Sequence, residues 1–293
     1  MRKRIAFAVF AILGMSGAVP AAENPYCKEN YYSQALLIGN KAYLETFPVP
    51  YSHNDVDAIK KFLIDKLCYR EGNVQVLKDA TFNQLRRWFG PTEHPRGRLW
   101  DHAKKGQSNI FVYYSGHGAT NSSHSETYML PVDAEPYREE RGGYPLSTLY
   151  DNLAALKAES VLVLLESAYG RDHGGYVLPP NLPETTSSAL PDKPLSTVTV
   201  LSATDRGQRA LIDTGYDVGL FTRYAIEGLA GRADLYPVGN GDGVVDSAEL
   251  YAYAAAMARL SARKTFGLLQ EPVYSSAETP VLSGSGVADA KSN

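Results

Sequence analysis

The chain is poor in cysteine: Cys27 and Cys68 are the two present in 293 residues. In an oxidising compartment a lone pair most simply forms one disulfide. Closing that loop would be worth roughly 3–4 kcal/mol on the chain-entropy account. The alternative is a reactive thiol, but Cys68 stands in Lys66-Leu67-Cys68-Tyr69 with no histidine near it in sequence. Metal-ligand spacing is also missing, since His53, His94, His102, His124 and His173 form no ligand pattern with the cysteines or with one another. No basic surplus exists. Without the three basic residues of its first segment the chain carries 26 Lys and Arg against 32 Asp and Glu, a net charge of −6. That argues against nucleic-acid binding and favours tolerance of basic peptides. Past the first segment no apolar run approaches the roughly twenty residues needed to span a bilayer, and no internal repeat is found.

What is present begins with a leader. Arg2-Lys3-Arg4 precedes an apolar stretch from Ile5 to about Met15, followed by small residues through Ala21-Ala22. Gly14, Ser16, Gly17 and Pro20 break the stretch, so residues 1–22 are expected to be a cleaved signal peptide rather than an anchor. The mature protein is then expected to be soluble and exported, periplasmic or secreted. With 44% hydrophobic and 21% charged residues, the remainder suits one large α/β domain over 23–280. A small, polar tail over 281–293 is expected to be disordered.

Ala35-Leu36-Leu37-Ile38-Gly39 is a short apolar run ended by glycine and reads as a buried strand. Val56, Ile59, Phe62, Leu63 and Leu67 recur at helical spacing and predict an amphipathic helix over 54–67. Further strands are expected over 74–77, 109–114, 161–165 and 198–201. Helices are expected over 85–89 (capped by Thr81 with Gln84), 146–158, 220–229 and 247–260. Continuous apolar strands separated by helices imply a mainly parallel sheet covered on both faces. Ligands bind such sheets at the carboxyl ends of the strands. A proline-bearing stretch over 171–195 reads as a long exposed loop.

Two strand ends carry the chemistry. One closes in Tyr113-Tyr114-Ser115-Gly116-His117-Gly118, and about fifty residues later another closes in Glu166-Ser167-Ala168-Tyr169-Gly170. Around them stand Ala35-Leu36-Leu37-Ile38-Gly39-Asn40, Asn54-Asp55-Val56, Tyr128-Met129-Leu130-Pro131-Val132-Asp133, Leu201-Ser202-Ala203, Gly219-Leu220-Phe221-Thr222 and Gly241-Asp242-Gly243 with Glu249-Leu250. In order and spacing these segments resemble the caspase and metacaspase family of cysteine endopeptidases, over nearly all of the chain beyond the leader. The resemblance implies a caspase-like three-layer α/β sandwich with a sheet of about six strands.

It also implies roles. His117 would protonate the leaving amine, while Gly118 and residue 168 would offer N–H groups to the oxyanion. Residue 168 would be the nucleophilic cysteine, but alanine stands there. Loss of a nucleophile costs on the order of a million-fold in kcat, so the chain as written resembles a pseudopeptidase. Ser167 should point to the opposite face from its neighbour, and Ser115 reads as a turn residue, so neither is expected to substitute. In metacaspases two acids bind an Arg or Lys side chain, and the matching positions are Asp55 and Glu166. Asp55 also suits a helix N-terminus. Expected partners are therefore peptide or protein segments bearing Arg or Lys.

Other features are less specific. Asn240, Asp242, Asp246 and Glu249 sit at ligand positions of half an EF-hand, but Val238 occupies the first position and cannot coordinate. A structural turn is expected, with weak calcium binding as the alternative and no other cofactor. Arg171 and Lys193 lie where family members are cut on activation, and a solvated linker is the default there. Three readings follow: a pseudopeptidase with a cleft for basic segments, an Arg/Lys-directed endopeptidase whose nucleophile was mutated, or a calcium-responsive scaffold.

Overall fold

The structure, a computed structural model, describes residues 30–121, 123, 125–135, 138–169 and 188–284. The expected leader, Cys27, His124, Arg171 and His173 lie outside the described residues, as do 171–187 of the proline-bearing loop and 285–293 of the tail.

Six strands form the central sheet: β1 (Gln34–Gly39), β2 (Val74–Lys78), β3 (Asn109–Ser115), β4 (Ser160–Glu166), β5 (Val198–Ser202) and β6 (Val273–Ser275). Their order is β6-β5-β4-β3-β1-β2. All neighbours pair parallel except β6, which runs antiparallel to β5 at the edge. The strands read as unbroken apolar runs because both faces are covered. Leu37, Tyr113, Leu164 and Leu201 face one layer, while Leu36, Ile38, Tyr114 and Leu165 face the other. Each such side chain is wholly buried and contributes about 1.5–3 kcal/mol of transfer free energy.

Five helices supply most of those layers: α1 (Ser52–Asp65), α2 (Phe82–Phe89), α3 (Leu146–Ala155), α4 (Leu220–Leu229) and α5 (Ser247–Ser261). Val56, Ile59, Phe62 and Leu63 of α1 share a core with Phe221, Tyr224 and Leu229 of α4 and with Leu250 and Ala254 of α5. Leu85, Trp88 and Phe89 of α2 join Leu146, Leu149 and Leu153 of α3 on the opposite face. The result is the expected three-layer sandwich. At α2 the Thr81 hydroxyl accepts from the Gln84 N–H, and Gln84 accepts from the Thr81 N–H.

Several expectations need correction. The first helix starts and ends two residues earlier than the spacing suggests, and Cys68 beyond it has φ 56°. The helix expected over 146–158 stops at Ala155. The tail does not become irregular at 281, because Val281–Gly284 pairs antiparallel with Val244–Asp246. Nor is the far end of the proline-bearing loop all exposed. Ala189 is buried, and its carbonyl accepts from the Tyr150 hydroxyl of α3. Strands of two or three residues escaped the sequence pattern altogether. Gly118–Thr120, Thr127–Met129 and Tyr144–Pro145 make a small antiparallel sheet beyond β3. Ile212–Asp213 and Val218–Gly219 make a hairpin leading into α4.

Among the described residues no helix is long and apolar enough to cross a membrane.

Candidate active site

Parallel pairing of β3 with β4 sets Ser115 opposite Glu166, so the two chemically marked segments leave the sheet side by side. The crossing is tied by hydrogen bonds. Ser167 Oγ donates to the Gly116 carbonyl at 2.8 Å, and Thr204 Oγ1 donates to the Ser167 carbonyl at 3.0 Å. The Ser167 hydroxyl is therefore committed to the histidine loop's backbone. Gly118 must lack a side chain, because a Cβ there would stand 2.3 Å from the Tyr169 ring. Residue 168 is a buried alanine methyl, with no hydroxyl or thiol to attack a carbonyl.

His117 is buried, and its Nε2 lies 2.8 Å from the carbonyl oxygen of Phe47. A carbonyl can only accept, so Nε2 carries a proton and Nδ1 is the ring's basic atom. Burial lowers the imidazole's affinity for a second proton, and the Phe47 carbonyl opposes that shift. A histidine held in one tautomer by a third group is the arrangement that general acid–base work requires. Tyr43 packs its ring 4.6 Å from the imidazole, and its hydroxyl accepts the His117 N–H at 2.7 Å. The loop bearing Tyr43 and Phe47 is anchored by Asp79, whose Oδ1 accepts from the N–H groups of Lys41 and Ala42 at 2.7 and 2.8 Å.

Asp55 and Glu166 do come together, but under packed structure rather than on an open surface. Asp55 is 2% and Glu166 5% exposed. Asp55 Oδ2 accepts from Ser115 Oγ at 2.6 Å, and its Oδ1 accepts from the Gly219 N–H at 2.7 Å. Glu166 Oε2 accepts from both the N–H and the hydroxyl of Thr222, at 2.7 and 2.8 Å. Its Oε1 is buried with no hydrogen-bond partner. Gly219 precedes α4 and Thr222 lies in its first turn, so both acids cap that helix from other elements, where its dipole favours negative charge. Gly219 approaches so closely that a Cβ would lie 2.3 Å from Glu166 Oε2. Among the described residues, no ion pair includes either acid.

That isolation shifts both carboxyls. Burial pushes Glu166 up to about 8, the neighbouring Asp55 charge adds to it, and the Thr222 bonds oppose it. Burial lifts Asp55 to about 6 against its bonds to Ser115 and Gly219. Both carboxyls are thus pushed upward, Glu166 the further of the two, because burial and their mutual repulsion disfavour two anions side by side.

Several participants were not singled out from the sequence. Ser115 is a partner of Asp55 rather than a turn residue. Thr222 and Gly219 lay inside a quoted motif, but nothing in the motif assigns them to Glu166. Tyr113 completes a relay, its hydroxyl 2.5 Å from Thr222 Oγ1. Phe47 acts through its carbonyl, which has no side-chain signature.

The half EF-hand is occupied by its own hydrogen bonds. Asp246 Oδ1 accepts from the N–H groups of Ala248 and Glu249, each at 2.8 Å, and Glu249 accepts in return from Asp246 and Asn240. Asn240 and Asp242 bond to each other. Among the described residues, no group of three or more His, Cys, Asp or Glu converges as a metal site. Elsewhere His53 contacts Asp79 at 3.1 Å, and His102 stacks on Trp88.

Comparison with known proteins adds two findings. The model of the caspase domain family, peptidase C14, matches residues 33–276. Among solved structures the chain is similar to caspase-1 from Spodoptera frugiperda, with a TM-score of 0.57 and 13% identity, covering 90% of this chain and 92% of that one. No curated protein matches the chain.

Proposed function

The chain belongs to the caspase domain family, and on that premise we propose that it is an exported pseudopeptidase that retains recognition of Arg- and Lys-bearing segments. One observation carries the reading: Asp55 and Glu166 lie beside the strand ends bearing His117 and Ala168, buried and, among the described residues, in no ion pair. Two buried carboxylates attract a guanidinium or ammonium, and a guanidinium can engage them bidentately. Capping α4 uses one oxygen of Glu166 and leaves Oε1 without a partner. Admission of a side chain requires the segment around Gly219 to give way, since it packs directly on Glu166.

In the peptidases of this family type, a thiolate attacks and the histidine protonates the leaving amine. Here His117 is held by Phe47 and Tyr43, while Gly118 and Ala168 keep backbone N–H groups for an oxyanion, but no nucleophile exists at 168. Turnover is therefore absent by chemistry, not by disorder of the site. The reading includes removal of residues 1–22 as a leader and a Cys27–Cys68 disulfide.

The test is Ala168→Cys assayed on fluorogenic peptides ending in Arg, Lys, Asp or Leu. The unaltered chain should release no fluorophore, and the variant should cleave after Arg or Lys. Cleavage after Asp or Leu in preference would sink the basic-pocket assignment. A second reading, an endopeptidase whose cysteine was replaced, is favoured by the intact Phe47–His117–Tyr43 arrangement. A cysteine codon at position 168 in the source gene would establish it.

A further inference from the structure

Resting on the basic-pocket reading above, we propose that the Asp55–Glu166 pocket is a proton-for-cation exchanger. Entry of a guanidinium against Glu166 Oε1 expels the proton that Glu166 carries when the pocket is empty. Peptide binding then releases close to one proton and tightens as pH rises.

The geometry carries this. Asp55 reaches the pocket from α1, Ser115 and Tyr113 from β3, Glu166 from β4, Gly219 from the hairpin and Thr222 from α4. These six positions supply two carboxyls, three hydroxyls and backbone N–H groups, and no positive charge. Asp55 has a donor on each oxygen, so its anion is satisfied. Glu166 has two donors on Oε2 and none on Oε1, so a second anion would have one bare, buried oxygen beside an existing charge. Buried like charges cannot both ionise without a counter-charge. Protonation of Glu166 meets that requirement in the empty protein, consistent with the upward shift that burial and Asp55 impose on it. A guanidinium meets it in the occupied one, its N–H groups supplying the donors that Oε1 lacks.

The exchange balances. Neutral Glu166 loses its proton to solvent, the peptide brings one positive charge, and the pocket goes from net −1 to net −1 with two carboxylates and one cation. If instead the acids only cap α4, ligand binding leaves their protonation untouched.

Calorimetry on the full chain distinguishes these outcomes. An Arg-containing tetrapeptide amide and its citrulline analogue, neutral but nearly isosteric, are titrated at several pH values from 6.5 to 9. Each titration is repeated in buffers of different ionisation enthalpy. The expected result is release of about one proton per Arg peptide near pH 6.5, falling toward zero by about pH 9. The dissociation constant should improve about tenfold per pH unit in the lower half of that range. Glu166→Gln, which keeps the shape but cannot ionise, should abolish the proton release and weaken Arg binding. Arg-selective binding with no proton release would overturn the exchange while leaving the basic-pocket reading intact. Equal binding of the Arg and citrulline peptides, or none of either, would overturn both.

Discussion

Replacing Glu166 by glutamine should change how stability depends on pH, not merely how large it is. The unfolded chain releases the Glu166 proton near the ordinary value of 4.5, whereas the folded chain keeps it up to about 8. Below about 4.5 both states are protonated and the contribution to stability is complete. As pH rises from there toward 8, the folded state alone holds the proton, and stability falls by about 1.4 kcal/mol per pH unit from this group. The loss accumulates between pH 5 and 8, and relaxation around the buried charge makes it smaller than that slope alone implies. Glutamine removes that dependence. Its own cost, an amide in place of a carboxylic acid, is a constant offset that leaves the slope alone. Urea unfolding of both forms at pH 5, 6, 7 and 8, followed by fluorescence of Trp88 and Trp100, gives the two curves. The wild-type minus variant difference should fall steadily across that range. Two parallel curves would refute the assignment of a proton to Glu166.

Two other perturbations test the packing around the site. Gly219→Ala meets no backbone strain at φ −58°, so its effect isolates the collision with Glu166. Overpacking of that kind costs about 1–3 kcal/mol, measured as a lowered Tm, and an unchanged Tm would show that Glu166 can move aside freely. Asp246→Ala removes a side-chain cap serving two N–H groups of α5, with an expected loss of about 1 kcal/mol. That loss should be the same with and without added calcium, and a calcium-dependent loss would point to metal binding in the loop.

The longer strands and helices were legible because their apolar pattern is a local property of a continuous run of about five residues or more. Leu36 to Ile38, Val56 to Leu63 and the Thr81 cap each announce their element without reference to the rest of the chain. The strand Thr127–Met129 does not, since three residues are too few to show a period. Val281–Gly284 was hidden by its small, polar composition, and pairing with Val244–Asp246 supplies the hydrogen bonds that make it a strand. At the site, His117 and Ala168 stood out because their neighbours form a spaced motif. Ser115 misled because a serine beside glycine reads as a turn, whereas its hydroxyl is the donor that satisfies Asp55.

By itself the sequence determined the order of the longer strands and helices, the family, and the alanine at position 168. Those depend on residue type and spacing, and an alanine at position 168 is an alanine in any fold. Only the tertiary structure decided that Phe47 holds His117, because a backbone carbonyl is common to every residue and has meaning only through position. It likewise decided that Asp55 and Glu166 are buried caps of α4, brought together so that burial and mutual repulsion raise both carboxyls. Burial and the donors from Ser115, Gly219 and Thr222 are properties of packing, and no spacing in the sequence announces them.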